Sequence, residues 1–135
     1  MPAWLLKTEP HHYSLVDLER DGVTPWDGVR NAQARINLRA MQVDDVGVIY
    51  HSGDERAAVG LARVTRAAYP DPEQPNENAP VVDVAFVERL ATPVALAALK
   101  AHVVFADSPL VRQTRLSVLP LTPEQLALIR QLGSQ

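Results

Sequence analysis

Between Trp26 and Ser52 the chain gathers side chains suited to holding a flat, polar molecule. An aromatic, a glycine, a guanidinium and an amide stand close together in Trp26-Asp27-Gly28-Val29-Arg30-Asn31, and a later run ends in Tyr50-His51-Ser52. An indole can cover the face of a planar ligand while guanidinium, amide and hydroxyl groups read its edge. Each type also has an ordinary structural use: tryptophan anchors cores, glycine makes turns and arginine pairs with carboxylates. Spacing alone favours the ordinary use, because pockets are few in any one domain.

Other reactive types are weaker signals. His11-His12 follows a proline; adjacent side chains are expected to point apart, and no His-x-x-x-His or carboxylate triad accompanies them, so no metal site is expected. His51-Ser52 invites a nucleophile reading, but a nucleophile elbow needs Gly-x-Ser-x-Gly ahead of a helix, and only Gly53 follows. No glycine-rich phosphate loop is present, and nothing calls for a cofactor. Arg112 and Arg115 default to surface roles; their functional use would be phosphate contacts beside a pocket.

The elements that must position these groups follow from pattern. Ala3 to Lys7 reads as a strand with Trp4 and Leu6 on one face and Leu5 and Lys7 on the other. Thr8-Glu9-Pro10 breaks it, and Ser14 with Asp17 opens a short helix that stops at Asp21-Gly22. Thr24 to Gly28 cannot be helical, since Pro25 drives Thr24 to extended geometry. Asn31 caps a helix over Ala32 to Gln42 that carries Ala34, Leu38 and Met41 on one face, with Arg35 and Arg39 on another. Val46 to Tyr50 is an apolar strand, and after the Gly53-Asp54 turn Ala57 to Ala68 is another.

Pro70 to Pro80 is a loop, Val81 to Leu90 a strand, and Thr92-Pro93 reads as a cap opening a helix over Val94 to Lys100. Val103 to Phe105 and Leu110-Val111 are short apolar pieces, and Leu116 to Val118 is a last strand. Thr122-Pro123-Glu124-Gln125 is a capping box for a helix to Leu132. Five strands and about four helices, without regular alternation, predict an α+β domain on a curved, mainly antiparallel sheet.

The 135 residues suggest one domain, and 47% hydrophobic content supports a packed core. There is no cysteine, hence no disulfide framework and no thiolate metal site. The first residues have no basic stretch ahead of their apolar run, and no run approaches the ~18 residues a membrane span needs. A soluble, cytoplasmic protein without membrane contact is expected. A net charge of −3 argues against a broad grip on a polyanion, which needs many phosphate contacts, but leaves room for a site that reads one base.

Taken together the motifs carry a resemblance. Trp4 to Pro10, Trp26 to Asn31 with Gln33-Ala34-Arg35, Met41, Tyr50-His51-Ser52, Gly60, Ala68 to Asp71 and Arg115 to Val118 occur in order. The chain resembles the EVE domain family from Trp4 to about Leu121. The resemblance implies a PUA-like fold, related to YTH and ASCH domains, with a barrel-like curved sheet and flanking helices. It also implies a pocket that reads a modified nucleobase of DNA or RNA, with methylated or hydroxymethylated cytosine among the ligands, and reading rather than catalysis. Carried over residue by residue, the binding positions are Lys7, Thr8, Trp26, Gly28, Val29, Arg30, Asn31, Tyr50, His51 and Ser52. Thr8 stands where many members have serine, Ala32 where an aromatic is frequent, and the Asp71–Pro80 loop is shorter and lacks their tyrosine and tryptophan. These departures imply a more open pocket.

Two other functions compete. An enzyme acting on a modified nucleotide would use Lys7, His51 and Ser52, and needs a perturbed lysine or a histidine within reach of the serine. A protein-interaction module would rest on Leu126, Leu128, Ile129 and Leu132 of the terminal helix, a pattern better suited to docking on its own domain.

Overall fold

In the computed structural model, which describes residues 2–135, six strands form one mixed sheet flanked by helices. The elements are β1 (Ala3–Thr8), α1 (Leu15–Asp21), β2 (Val23–Trp26), α2 (Ala32–Ala40), β3 (Val46–His51), β4 (Ala57–Pro70), β5 (Pro80–Ala95), α3 (Leu96–Lys100), α4 (Pro109–Arg112), β6 (Val118–Leu121) and α5 (Pro123–Gly133), with a 3-10 turn at Val103–Phe105. The strand order is β2-β5-β4-β3-β1-β6. β1 and β3 are parallel, and the other four pairings are antiparallel. No ladder joins β2 to β6 among the described residues, so the sheet is open rather than hydrogen-bonded into a closed barrel. Its bends come from β4 and β5, whose register shifts four times along their shared length.

β1 is buried on both faces from Ala3 to Leu6, because it lies between β3 and β6 with helices covering the sheet. Trp4 Nε1 donates to Asp45 Oδ2 at 3.0 Å, and the Gln42 N–H donates to the same oxygen at 2.9 Å. A carboxylate buried to this depth is tolerable only when hydrogen-bonded, and here it also satisfies the indole. On the facing side α2 turns Ala34, Asn37 and Leu38 inward. Asn37 Nδ2 donates to the Val118 carbonyl at 2.7 Å, tying α2 to β6.

Gly60 marks a close approach. A β-carbon there would lie 2.5 Å from Leu15 Cδ1 and 3.0 Å from the Glu88 carbonyl, so α1 seats against β4 only because that position is bare.

Four expectations are revised. There are six strands, since Val23–Trp26 pairs with β5 as an edge strand; proline is tolerated there because one side of an edge strand has no ladder to feed. The other edge, β6, likewise carries a proline, Pro120, and occupies Val118–Leu121 rather than Leu116–Val118. Thr92-Pro93 does not cap a helix. β5 continues through a bulge to Ala95, the Thr92 hydroxyl bonds the Gln135 carbonyl, and α3 is confined to Leu96–Lys100. Finally, α2 ends at Ala40, and Met41 is already extended. No helix among the described residues is long and apolar enough to cross a membrane.

Candidate nucleic-acid interface

The end of β1 delivers Lys7 and Thr8 to one side of a cleft. The chain then folds through a tight turn, in which the His12 and Tyr13 N–H groups both donate to the Glu9 carbonyl at 2.9 Å. Ser14 closes the loop as the N-cap of α1, in a reciprocal capping box with Asp17. The opposite wall is the end of β2 and the link to α2. Trp26 is the last residue of β2, and Gly28, at φ +73°, adopts the left-handed geometry that lets the link turn back toward β1. Asn31 Oδ1 accepts from the Ala34 N–H at 2.9 Å and starts α2.

Between these walls lies a cleft of about 550 Å³, within the span of roughly 300–1,000 Å³ usual for small-molecule sites. Of the positions named from the sequence, Lys7, Thr8, Trp26, Gly28, Val29 and Arg30 line it. His12, Tyr13, Thr24, Pro25, Asp27 and Ser117 line it too, although sequence reasoning did not single them out as binding positions. Tyr13 carried the best available signal, as one of only three tyrosines in a loop beside a motif strand.

Trp26 is only 7% exposed, so it is a wall of the cleft and not an open platform. Its ring meets Tyr13 edge-on, with centroids 6.4 Å apart and planes at 88°. Among the described residues none of the side-chain hydrogen bonds involves Trp26, and no buried side-chain nitrogen or oxygen lacks a partner. Its indole N–H therefore reaches solvent, and is free to donate.

The remaining polar groups divide by role. Lys7 Nζ spends one proton on the Thr114 carbonyl at 3.1 Å and lies 5.8 Å from the Tyr50 ring centroid. Burial pulls its pKa down from the ordinary lysine value. The Thr8 hydroxyl donates to the Tyr13 carbonyl at 2.7 Å, leaving only its lone pairs for a ligand. Tyr13 Oη donates to Asp21 at 2.8 Å; burial first of all, with the Asp21 charge adding, raises its pKa. The exposed Asp27 carboxylate and Arg30 guanidinium add an acceptor and a cation. The cleft thus offers donors and acceptors around partly apolar walls formed by Val29, Pro25 and Trp26.

The other named positions stand outside its lining. Asn31 is exposed and committed to its cap, and it borders a second groove of about 320 Å³ with Gln33, Gln113, Thr114, Arg115 and Leu116. Tyr50 is buried behind Lys7, and burial raises its pKa. His51 is buried, with Nε2 accepting from the Leu15 N–H at 3.1 Å and Nδ1 2.9 Å from Glu55. Ser52 donates its backbone N–H to the Thr8 carbonyl at 2.9 Å. Tyr50, His51 and Ser52 thus brace the β1 end, and both nitrogens of the His51 ring are already engaged. Arg112 pairs with Asp107 at 2.9 Å, whereas Arg115 has no ion pair among the described residues.

The histidines of the turn do not point apart. Their ring centroids lie 4.3 Å from each other, and both approach Glu9. The tight turn, closed on the Glu9 carbonyl, brings the first and last side chains together.

Residues 2–132 match the EVE domain model. Human thymocyte nuclear protein 1 is 34% identical over 163 aligned positions, covering 96% of this chain and 72% of that protein. The structure of a protein from Agrobacterium tumefaciens superposes with a TM-score of 0.94 at 34% identity, covering 98% of this chain and 93% of that one. The human THYN1 protein, solved in complex with 5-methylcytosine-containing DNA, superposes with a TM-score of 0.93 at 30% identity, covering 100% of this chain and 99% of that one.

Proposed function

The chain belongs to the EVE domain family, and on that footing we propose that it is a single EVE domain that reads a modified cytosine of DNA in the Trp26 cleft. The observation that carries this reading is the cleft itself, built from the motif residues Trp26 to Arg30 and Lys7-Thr8, in a fold shared with a protein solved on methylated DNA. The chemistry of the lining supports a cytosine. Its pairing edge offers one amine donor and two acceptors. The Asp27 carboxylate suits the amine, as acidic side chains suit the cytosine amine elsewhere. Lys7, Arg30 and the Trp26 N–H suit the acceptors, and Val29 and Pro25 suit a methyl group. Reaching such a base requires that it leave the helical stack.

In this reading Lys7, Thr8, Trp26, Gly28, Val29 and Arg30 touch the ligand or shape the backbone against it. Asn31, Tyr50, His51 and Ser52 hold those groups in place. Arg115, at the adjoining groove, supplies the phosphate contact; Arg112, already paired, is the weaker of the two. The barrel-like curvature of a PUA-like fold, an RNA strand as an alternative carrier of the base, and a cytoplasmic setting belong to the same proposal.

The test is direct. Oligonucleotides identical except for cytosine, 5-methylcytosine, 5-hydroxymethylcytosine or thymine at one position are titrated as single and double strands, in deoxy and ribo form. The reading expects tighter binding of a modified cytosine than of cytosine and weak binding of thymine. Equal affinities across the set would refute it.

A further inference from the structure

We propose that Glu9, His11 and His12 form a divalent-metal site at the rim of the cleft. The three residues offer Oε2, Nε2 and Nδ1, all within 4.8 Å of one another. Glu9 Oε2 lies 3.2 Å from His11 Nε2 and 3.7 Å from His12 Nδ1. Metal bonds of about 2.0–2.1 Å in tetrahedral array place neighbouring ligand atoms roughly 3.3 Å apart. Two edges of the triangle are therefore near the required length, and the third is within 4.8 Å, between two imidazoles that are both exposed.

The turn that carries these side chains is fixed before any ion arrives. Pro10 restrains its second position, the His12 and Tyr13 N–H groups donate to the Glu9 carbonyl, and the Thr8 hydroxyl ties its base to the Tyr13 carbonyl. All three donor side chains are exposed, so binding an ion displaces no packing. Two imidazoles and one carboxylate favour a borderline ion such as zinc over magnesium or calcium, which prefer all-oxygen shells.

The location gives the ion a use. His12 lines the cleft, so an ion there adds positive charge at the mouth of a site in a chain of net charge −3. Three protein ligands leave a fourth position open. A nucleic-acid phosphate oxygen fits that position. This last step rests on the base-reader reading, whereas ion uptake does not.

The experiment is a calorimetric titration of zinc chloride into the full chain freed of any histidine tag. One ion per chain is expected, with affinity reduced at least roughly tenfold in the His11→Ala/His12→Ala double variant and in Glu9→Gln, on the scale by which even supporting groups of metal sites act. The imidazole resonances of His11 and His12 should move, and those of His51 and His102 should not. Absence of saturable uptake, or uptake unchanged in the double variant, overturns the site. Affinity for a 5-methylcytosine oligonucleotide is then compared in zinc and in EDTA. A several-fold gain from zinc, absent in the double variant, supports the phosphate role, and equal affinities overturn it. Selectivity for 5-methylcytosine over cytosine, measured in EDTA, isolates the reader: selectivity without zinc uptake removes only the ion, and zinc uptake without selectivity removes only the reader.

Discussion

Replacing Trp26 by phenylalanine separates a cleft tryptophan from a core tryptophan. The residue is 7% exposed, so nearly all of its ring is packed and some stability must be lost. Phenylalanine buries roughly 40 Å² less, worth about 1 kcal/mol at ~25 cal/mol per Å². The void left behind adds about as much again, so a loss near 2 kcal/mol is expected in denaturant unfolding. An aromatic ring still faces Tyr13, and the fold should survive. The N–H donor disappears altogether. If it serves the base, its loss costs about 1 kcal/mol of binding, roughly a fivefold rise in Kd, measured by fluorescence anisotropy with a 5-methylcytosine oligonucleotide. Destabilisation of the expected size with no change in Kd would refute the reasoning, since Trp26 would then be a core residue with a wet edge.

Asp27→Asn keeps size but replaces a charged acceptor by an amide, and should narrow the preference for modified cytosine over thymine in the same assay while leaving stability within about 0.5 kcal/mol, as expected of an exposed side chain. Asp45→Ala leaves the buried Trp4 N–H without a partner and should cost about 1–3 kcal/mol in denaturant unfolding, with oligonucleotide affinity unchanged in the folded protein. Binding should depend weakly on salt, with a log–log slope on the order of −1 to −3, and Arg115→Ala should weaken modified and unmodified strands alike while Arg112→Ala does little. Tyr69, held protonated first by burial and then by its hydrogen bond to Asp83, has its pKa pushed up from 10.0 to about 12. A raised folded pKa means its contribution to stability is complete below pH 10 and is lost as pH climbs toward 12. Tyr69→Phe should therefore flatten the alkaline decline in stability relative to the parent, a comparison that cancels the opposite slope from Lys7, whose pKa burial lowers.

The strands and caps that were legible in the sequence are those set by local chemistry. Ser14, Asn31 and Thr122 each cap the helix they precede, because a side-chain oxygen placed there meets an unsatisfied N–H whatever the tertiary fold. What local chemistry misread was set at a distance. Thr92-Pro93 has the form of a helix start, but pairing with Ala57 and Ala58 carries β5 past it. Val23 to Trp26 lacks the alternation of a strand and becomes one only because β5 offers a free edge. The cleft follows the same division. Trp26 to Arg30 could be named from the motif, whereas Tyr13 and Ser117 reach the cleft through a turn and a neighbouring strand end that no local pattern encodes. His51 shows the reverse: a reactive type on a motif strand whose ring is spent on the Leu15 N–H and Glu55.

The two tryptophans give the central claim its sharpest measurement. Trp4 has its indole N–H locked to Asp45 in the core, and Trp26, which lines the cleft, has its own without a partner among the described residues. Each contributes one indole N–H cross-peak to a ¹⁵N-correlated spectrum, so the protein carries a probe and its internal control. During titration with an oligonucleotide bearing one 5-methylcytosine, the Trp26 peak should move with the binding isotherm while the Trp4 peak stays in place. Saturable binding that leaves the Trp26 peak unmoved would place the base elsewhere and contradict the account.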